Sequence, residues 1–495
     1  MRKSSEIPTA VVVGAGAGGL AAAIRLAIAG FQVEVWEQNA TAGGKLQEWR
    51  EGGYRFDTGP SLLTMPEVVR SLFTAAGRRL EDYLTIEPLA VGCRYFWRDG
   101  TVIDQDEAFW KRPEVARFLD EAQGIYELSG EAYLNHPPAE FWKAFSWRNL
   151  PSLRHLPKVA TLQTLAGAVN RHFADPHLRQ LFHRFATYNG SSPYRTPATF
   201  NIIPYVEARF GSWYVRGGMA ALGQALVRLA EEVGVTIRYG TAAKRWNHGL
   251  LESADGRTAR PEVVICNQDV LAAAQGWLAD HFPRREQEAL LRPQLSSSGF
   301  VLFLGVTQRA PQLSHHNIFF SDDYPAEFDA LFDRPGPHFL DDPTLYIAAT
   351  SRTDPDHAPE GCDNYFVLAN SPALPPGTLG AAEIERHADR IIARLEASGL
   401  TGLGNRIAVR RTFTCHDFAK RDGSHQGSLY GWASHTLRTS LFRPPLWRRR
   451  PANLYFVGGT THPGGGIPLV LLSAKMVAER VLARHPGIAK SLPQP

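Results

Sequence analysis

One stretch near the N-terminus narrows the possible folds more than anything else in this chain. Ala10-Val11-Val12-Val13 reads as an apolar strand. It runs straight into Gly14-Ala15-Gly16-Ala17-Gly18-Gly19, a G-x-G-x-x-G turn. A small-residue helix is expected from Leu20 to Gly30, then a second strand, Gln32-Val33-Glu34-Val35-Trp36, ending at Glu37. Each part has a physical task. Gly14 permits the tight turn, Gly16 lets the backbone approach a pyrophosphate, and Gly19 lets the helix pack close to the strand. The helix N-terminus offers free N–H groups and partial positive charge to phosphates. Glu37 follows where an acid accepts hydrogen bonds from a ribose. The order predicts an α/β fold built on a Rossmann-type dinucleotide-binding domain.

Two further signals select a flavin. Six residues past Glu37 stands Gly43-Gly44-Lys45. Flavoproteins of the glutathione-reductase type, in the amine-oxidase-like branch, place such a triplet beside the flavin diphosphate. Near the C-terminus, Asn453 to Gly459 reads as a strand ending at Gly458-Gly459. Thr460 to Pro468 reads as a glycine-rich loop, and Leu469 to His485 as a helix. Pro468 sits near the first turn, where proline is tolerated. A second helix N-terminus is thus built behind Gly464-Gly465-Gly466, where it would favour the negative charge of a reduced flavin. Gly466, Ile467 and Pro468 belong to that expected site. FAD is the cofactor this arrangement suits. No second G-x-G-x-x-G follows, so the electrons are expected from an organic substrate rather than from NAD(P)H.

Composition bounds the rest. With 495 residues the chain exceeds one ordinary core, and two lobes are expected. Cys93, Cys266, Cys362 and Cys415 are scattered without C-x-x-C spacing, which suggests neither a disulfide framework nor a metal site. Met1 to Thr9 carries no apolar core of signal-peptide length, and no run of about 18 apolar residues suggests a spanning helix. A net charge of +4 does not argue for nucleic acid.

That charge is uneven. From Phe141 to Ala174 there is no Asp or Glu. Lys143, Arg148, Arg154, Lys158 and Arg171 interleave with Phe141, Trp142, Phe145 and Trp147. Basic residues beside interfacial aromatics suit a membrane surface, and equally a basic hairpin packed on its own domain. Pro151 and Pro157 break any long amphipathic helix.

The expected organisation is interleaved. A discontinuous FAD-binding domain takes residues 1–75, 211–294 and 406–495. Residues 76–210 form a helical, membrane-facing part of a mixed α+β substrate domain, and residues 295–405 its sheet part. Near Gly217-Gly218-Met219 the chain returns to the nucleotide domain with a helix from Ala220 to Val233 and a strand from Val235 to Tyr239. Ala242 and Ala243 follow where a flavoprotein backbone meets adenine. Ala254-Asp255-Gly256-Arg257 is a hairpin signal before a strand from Glu262 to Cys266.

Nearly end to end, the chain resembles the bacterial-type phytoene desaturase family, the FAD-dependent carotenoid desaturases and their relatives. Beyond the N-terminal fingerprint the resemblance rests on Asp57-Thr58-Gly59-Pro60-Ser61, Tyr205-Val206-Glu207, Val215-Arg216-Gly217-Gly218-Met219 and Val264-Ile265-Cys266-Asn267-Gln268-Asp269. It continues through Phe319 to Tyr324, Asp354 to Gly361 and Gly423 to Ser428, and closes with Thr461-His462-Pro463-Gly464-Gly465-Gly466-Ile467-Pro468. Gln268 and Ala243 depart from the family's usual Ala and Val.

The resemblance implies a lipophilic, acyclic isoprenoid polyene as substrate. It implies desaturation by hydride transfer to the flavin, peripheral attachment at the cytoplasmic face of a membrane, and oxygen or a quinone as electron acceptor. Proton loss next to a polyene cation is easy, so the protein mainly orients the substrate in a dry site. No catalytic base is assigned; His462 is the single candidate, and its neighbours suit a turn as well. The same scaffold also carries oxygenases, ketolases and isomerases, and isoprenoid carriers of the GDP-dissociation-inhibitor type resemble it. Val457 to Lys475 and Asn364 to Asn370 look closer to late-pathway desaturases, which act on a carotenoid already bearing a tertiary hydroxyl or methoxyl at one end, than to enzymes acting on phytoene, which implies a tunnel with one polar end.

Overall fold

The parallel sheet begins where the sequence pattern is strongest. The structure, a computed structural model, describes residues 7–144, 163–336 and 339–488. β1 (Thr9–Val13) leads into α1 (Ala17–Ile28) and then β2 (Gln32–Trp36). Their neighbours come from far along the chain. The order is Leu454–Phe456, Val263–Cys266, β1, β2, Thr236–Arg238, all parallel. Val12 lies opposite both Val35 and Ile265, and all three are fully buried. Each such side chain withdrawn from water contributes about 1.5–3 kcal/mol.

α1 starts at Ala17, three residues earlier than the pattern suggests, because Gly18 and Gly19 are needed inside it. A Cβ on Gly18 would come within 2.6 Å of Asn267 Oδ1 and 3.3 Å of the Gly458 Cα. A Cβ on Gly19 would overlap the Gly14 carbonyl oxygen. Absent side chains therefore bring the helix onto the sheet. Met219–Glu232 and Ile467–Arg484 pack against it and complete the layer.

The second sheet has seven strands. Its order is Ile407–Phe413, Ser298–Val306, Asp363–Ser371, Leu345–Ala348, His316–Phe319, Arg94–Phe96, Val102–Asp104. Every neighbouring pair is antiparallel except His316–Phe319 with Arg94–Phe96. The period of two sorts its residues. Leu302, Leu304, Tyr365 and Val367 pack with Ile391 and Leu395 of the helix Ala381–Ala397. Val301, Phe303 and Phe366 face the other way, toward Tyr54 and Phe56.

The interleaving is finer than the sequence suggests. Ile407–Phe413 joins the second sheet rather than the nucleotide side. Arg94–Phe96 and Val102–Asp104, from a stretch expected to be helical, form its far edge. Three-residue strands are too short to show alternation, and Arg94 pairs with a residue more than two hundred positions away. The hairpin at Ala254-Asp255-Gly256-Arg257 joins Leu250–Ser253 to Thr258–Ala259, as its turn residues suggest. Among the described residues no helix is long and apolar enough to cross a membrane.

Most of the basic aromatic stretch, residues 145–162, lies outside the described residues. Its flanks pack inward. Leu165 and Val169 of the helix Leu165–His172 are fully buried, and the Phe141 ring lies against Tyr133 and His462.

Candidate active site

A continuous cavity of about 670 Å³ runs from the glycine turn of the parallel sheet to the face of the seven-stranded sheet. Two helix N-termini open on it, those of α1 at Ala17 and of Ile467–Arg484 at Ile467. The first-turn N–H groups of a helix have no intrahelical partner, so both ends present donors and partial positive charge to one space.

The glycine end is set by backbone. Every residue expected to hold the cofactor lines the cavity except Ala15 and Gly19. Those two act from behind. Gly19 keeps the helix close, and the Ala15 N–H donates to Glu37 Oε2 at 2.8 Å. Glu37 is buried, and its Oε1 accepts from Asn39 N and Nδ2, each at 2.9 Å. These bonds fix the carboxylate at the mouth of the turn, where Glu37 lines the cavity. Gly44 is left-handed, at φ +59°, and its Cβ would stand 3.0 Å from the Gly16 Cα. Gly16 and Gly44 therefore form a wall with no side chain on it.

Asn267 braces this wall and was not singled out as a site residue. It lines the cavity, its Nδ2 donates to the Gly14 carbonyl at 3.4 Å, and its Oδ1 lies beside Gly18 and Gly458. The neighbouring motif residues are structural anchors. Asp57 accepts from Met219 N at 3.0 Å and Ala220 N at 3.2 Å, and takes the Arg55 guanidinium at 2.8 Å. It thereby caps the helix Met219–Glu232 with a negative charge. Asp269 caps Val270–Gln275 and accepts from His425 N.

Lys45 also lines the cavity, and its Nζ donates to the Leu429 carbonyl at 2.9 Å. Burial lowers its pKa, an effect that Asp422 and Asp269 partly offset. Gly59, Pro60 and Ala243 stand on the walls, and Gly458, Gly459, Gly466, Ile467 and Pro468 bring the C-terminal loop to the same space. His462 is in that loop but not on the cavity wall. It is fully buried, Nε2 meets the His136 carbonyl at 2.9 Å, and the ring packs edge-on against Tyr133. Burial pulls its pKa down to about 4. A neutral imidazole wedged between the loop and the helix Glu131–Asn135 is placed to shape the loop.

The far end is lined by side chains. Phe366, Leu368 and Asn370 alternate along Asp363–Ser371, with Ile318 beside them. Arg184, Tyr188, His316, Tyr324 and Tyr346 add polar groups. They sit on strands, turns and a helix start far apart in sequence, and of them only Tyr324 falls within a motif noted above, Phe319 to Tyr324.

The matches to known proteins follow the whole chain. Residues 17–482 match the family described as flavin-containing amine oxidoreductase. A 4,4'-diapolycopene oxygenase of Methylomonas sp. is 36% identical over 97% of this chain and 99% of its own. A 1-hydroxycarotenoid 3,4-desaturase of Flavobacterium sp. is 36% identical over 95% of this chain and 98% of its own. Among solved structures, a redesigned putrescine oxidase superposes with a TM-score of 0.64 over 96% of this chain and all of its own, at 16% identity, a likeness of fold. The cradle fits a flavin dinucleotide: a wall free of side chains for a diphosphate, an acid beside it, and a second helix N-terminus across the space. With site, fold and relatives in agreement, this chain belongs to the flavin-containing amine oxidoreductase family, as an FAD-dependent oxidoreductase of the carotenoid desaturase-like kind.

Proposed function

We propose that the chain introduces carbon–carbon double bonds into an acyclic isoprenoid polyene. The observation that carries this is the continuity of the cavity, from the glycine cradle to a wall of Phe366, Leu368 and Ile318. A ligand on that wall reaches the glycine cradle within the same cavity. FAD, when bound, supplies the two-electron acceptor. Gly16, Gly44 and the N-terminus of α1 would hold its diphosphate, Glu37 its ribose, and Gly466 to Pro468 its ring system.

The chain's own part is positioning. The apolar strand face orients an extended chain and keeps the site dry, which strengthens each fixed dipole inside it. Loss of a proton next to a conjugated cation needs little help, and that fits a buried, neutral His462 off the cavity wall. Oxygen or a quinone would then take the electrons.

The test is conversion. Hosts making phytoene, neurosporene or other acyclic precursors are given the gene, and the pigments are read by absorption and mass. Loss of two hydrogens per step supports desaturation. Gain of oxygen would replace this reading with the oxygenase one that the Methylomonas relative's name offers, and unchanged mass with an isomerase.

Because the substrate class resides in bilayers, peripheral attachment at the cytoplasmic face through residues 141–174 belongs to the same proposal. Replacing Trp142, Trp147, Arg154 and Lys158 together should reduce salt-sensitive binding to anionic vesicles. Unchanged flotation with the vesicles would remove the segment from the membrane contact.

A further inference from the structure

The polyene reading leaves one end of the cavity unexplained. Arg184 lines it from the turn Arg184–Asn189 and is only 9% exposed. Its guanidinium stands 5.6 Å from the Tyr95 ring centre and 5.2 Å from that of Tyr188. Nη1 donates to Tyr95 Oη at 3.3 Å. Among the described residues no carboxylate forms an ion pair with it. Glu207 is near enough to bear on its charge, but that carboxylate accepts instead from Tyr188 Oη at 2.8 Å and Ser212 Oγ at 3.4 Å. An arginine has five N–H donors, and a buried cation normally has them answered.

Two more residues line the same space, each with an unanswered polar atom. Tyr324 Oη and His316 Nε2 are buried and lack hydrogen-bond partners. His316 holds its other nitrogen, Nδ1, against Tyr346 Oη at 2.8 Å. Packing brings them near one another: the Tyr95 ring under the Arg184 guanidinium stacks on Phe320 at 5.9 Å, Phe320 meets Tyr324 edge-on at 5.6 Å, and the strand of Tyr95 pairs with the strand that carries His316. The charge of Arg184 bears on the ionisation of both. Burial keeps His316 neutral and Tyr324 protonated.

We infer that Arg184, Tyr324 and His316 form a specificity site for a hydroxyl group at one end of the substrate, an inference that rests on the polyene reading above. Arg184 can only donate, so its ligand must be an oxygen acceptor. Tyr324 Oη and His316 Nε2 can also accept a hydrogen bond, which a hydroxyl can give and a carbonyl cannot. A hydrocarbon end would leave Tyr324 Oη, His316 Nε2 and the remaining donors of Arg184 unanswered. Sites built to hydrogen-bond a substrate hydroxyl reject the analogue lacking it for this reason.

The experiment uses purified holoenzyme and three acyclic polyenes of equal length, ending in a tertiary alcohol, a plain hydrocarbon and an aldehyde. The alcohol should be preferred over the hydrocarbon by at least about 100-fold in kcat/KM. Arg184→Met should bring that ratio close to one, and Arg184→Lys should restore part of it. Tyr324→Phe removes an oxygen that pairs with nothing in the fold, so flavin content and Tm should hold while the ratio falls about 5- to 10-fold. Equal use of alcohol and hydrocarbon by the unaltered enzyme would overturn the site and leave the polyene reading standing. Preference for the aldehyde, or a ratio unmoved by Tyr324→Phe, would also overturn it. Conversion of none of the three, with flavin retained, would overturn both.

Discussion

The two ends of the cavity are built from opposite materials. At the glycine end Gly14, Gly16, Gly44 and Gly458 leave bare backbone, with Asn267 as the brace, and the fit depends on what is missing. At the far end Phe366, Leu368, Ile318 and Arg184 project from strands and a turn, and the fit depends on what is present. Backbone-made sites tolerate almost no added atom, because neither partner in the clash can rotate away. Sites made of side chains tolerate change in shape and answer with altered selectivity. Substitutions at the first end should therefore decide whether the protein binds FAD at all, and substitutions at the second what it turns over.

The largest effect is expected at Gly19. Even Gly19→Ala places a methyl group against the Gly14 carbonyl oxygen, backbone against backbone. That should cost more than about 3 kcal/mol and yield a protein without yellow colour, read by the flavin-to-protein absorbance ratio. Full flavin retention would break the contrast outright. Next comes Leu368→Trp. It fills the far end and should lower kcat/KM about 100-fold while flavin content stays at the unaltered level. Loss of flavin there would show that the two ends are one packing unit.

The smallest effect sharpens the comparison on the substrate side. Burial holds His387, on the helix behind the seven-stranded sheet, at about 3, with its ring stacked on Phe339. Its folded pKa is depressed below the ordinary value near 6.5. Its contribution is therefore fully present above about pH 6.5 and is lost as pH falls toward 3, because the unfolded chain takes up the proton first. His387→Phe should flatten the acid limb of the stability–pH curve by about 1.4 kcal/mol per pH unit within that window. An unchanged slope in urea titrations at pH 4–6 would show that this histidine does not drive the acid loss.

Glycines and strands of the nucleotide side were legible because their constraints are local. Gly14 to Gly19 and Glu37 stand at spacings that backbone geometry demands, Gly466 stands in a second local glycine motif, and every residue expected to hold the cofactor but Ala15 and Gly19 lies on one cavity. The roles of Ala15 and Gly19 are equally local: one N–H donates to Glu37, and one missing Cβ lets the helix seat. Asn267 was within a recognised motif, yet its task shows only when Gly14, Gly18 and Gly458 surround it.

The sequence by itself determined the βαβ opening, the bare glycine turn and the family, since short-range sterics and hydrogen bonding leave few alternatives for such spacings. Tertiary structure alone decided which strands complete each sheet, because Arg94–Phe96 and Ile407–Phe413 are too short or too distant to announce their partners. It also brought Arg184, His316 and Tyr324 to one cavity. No spacing encodes that convergence: a turn carries Arg184, a strand His316 and the start of a helix Tyr324, and elements more than a hundred residues apart meet only when the whole chain packs.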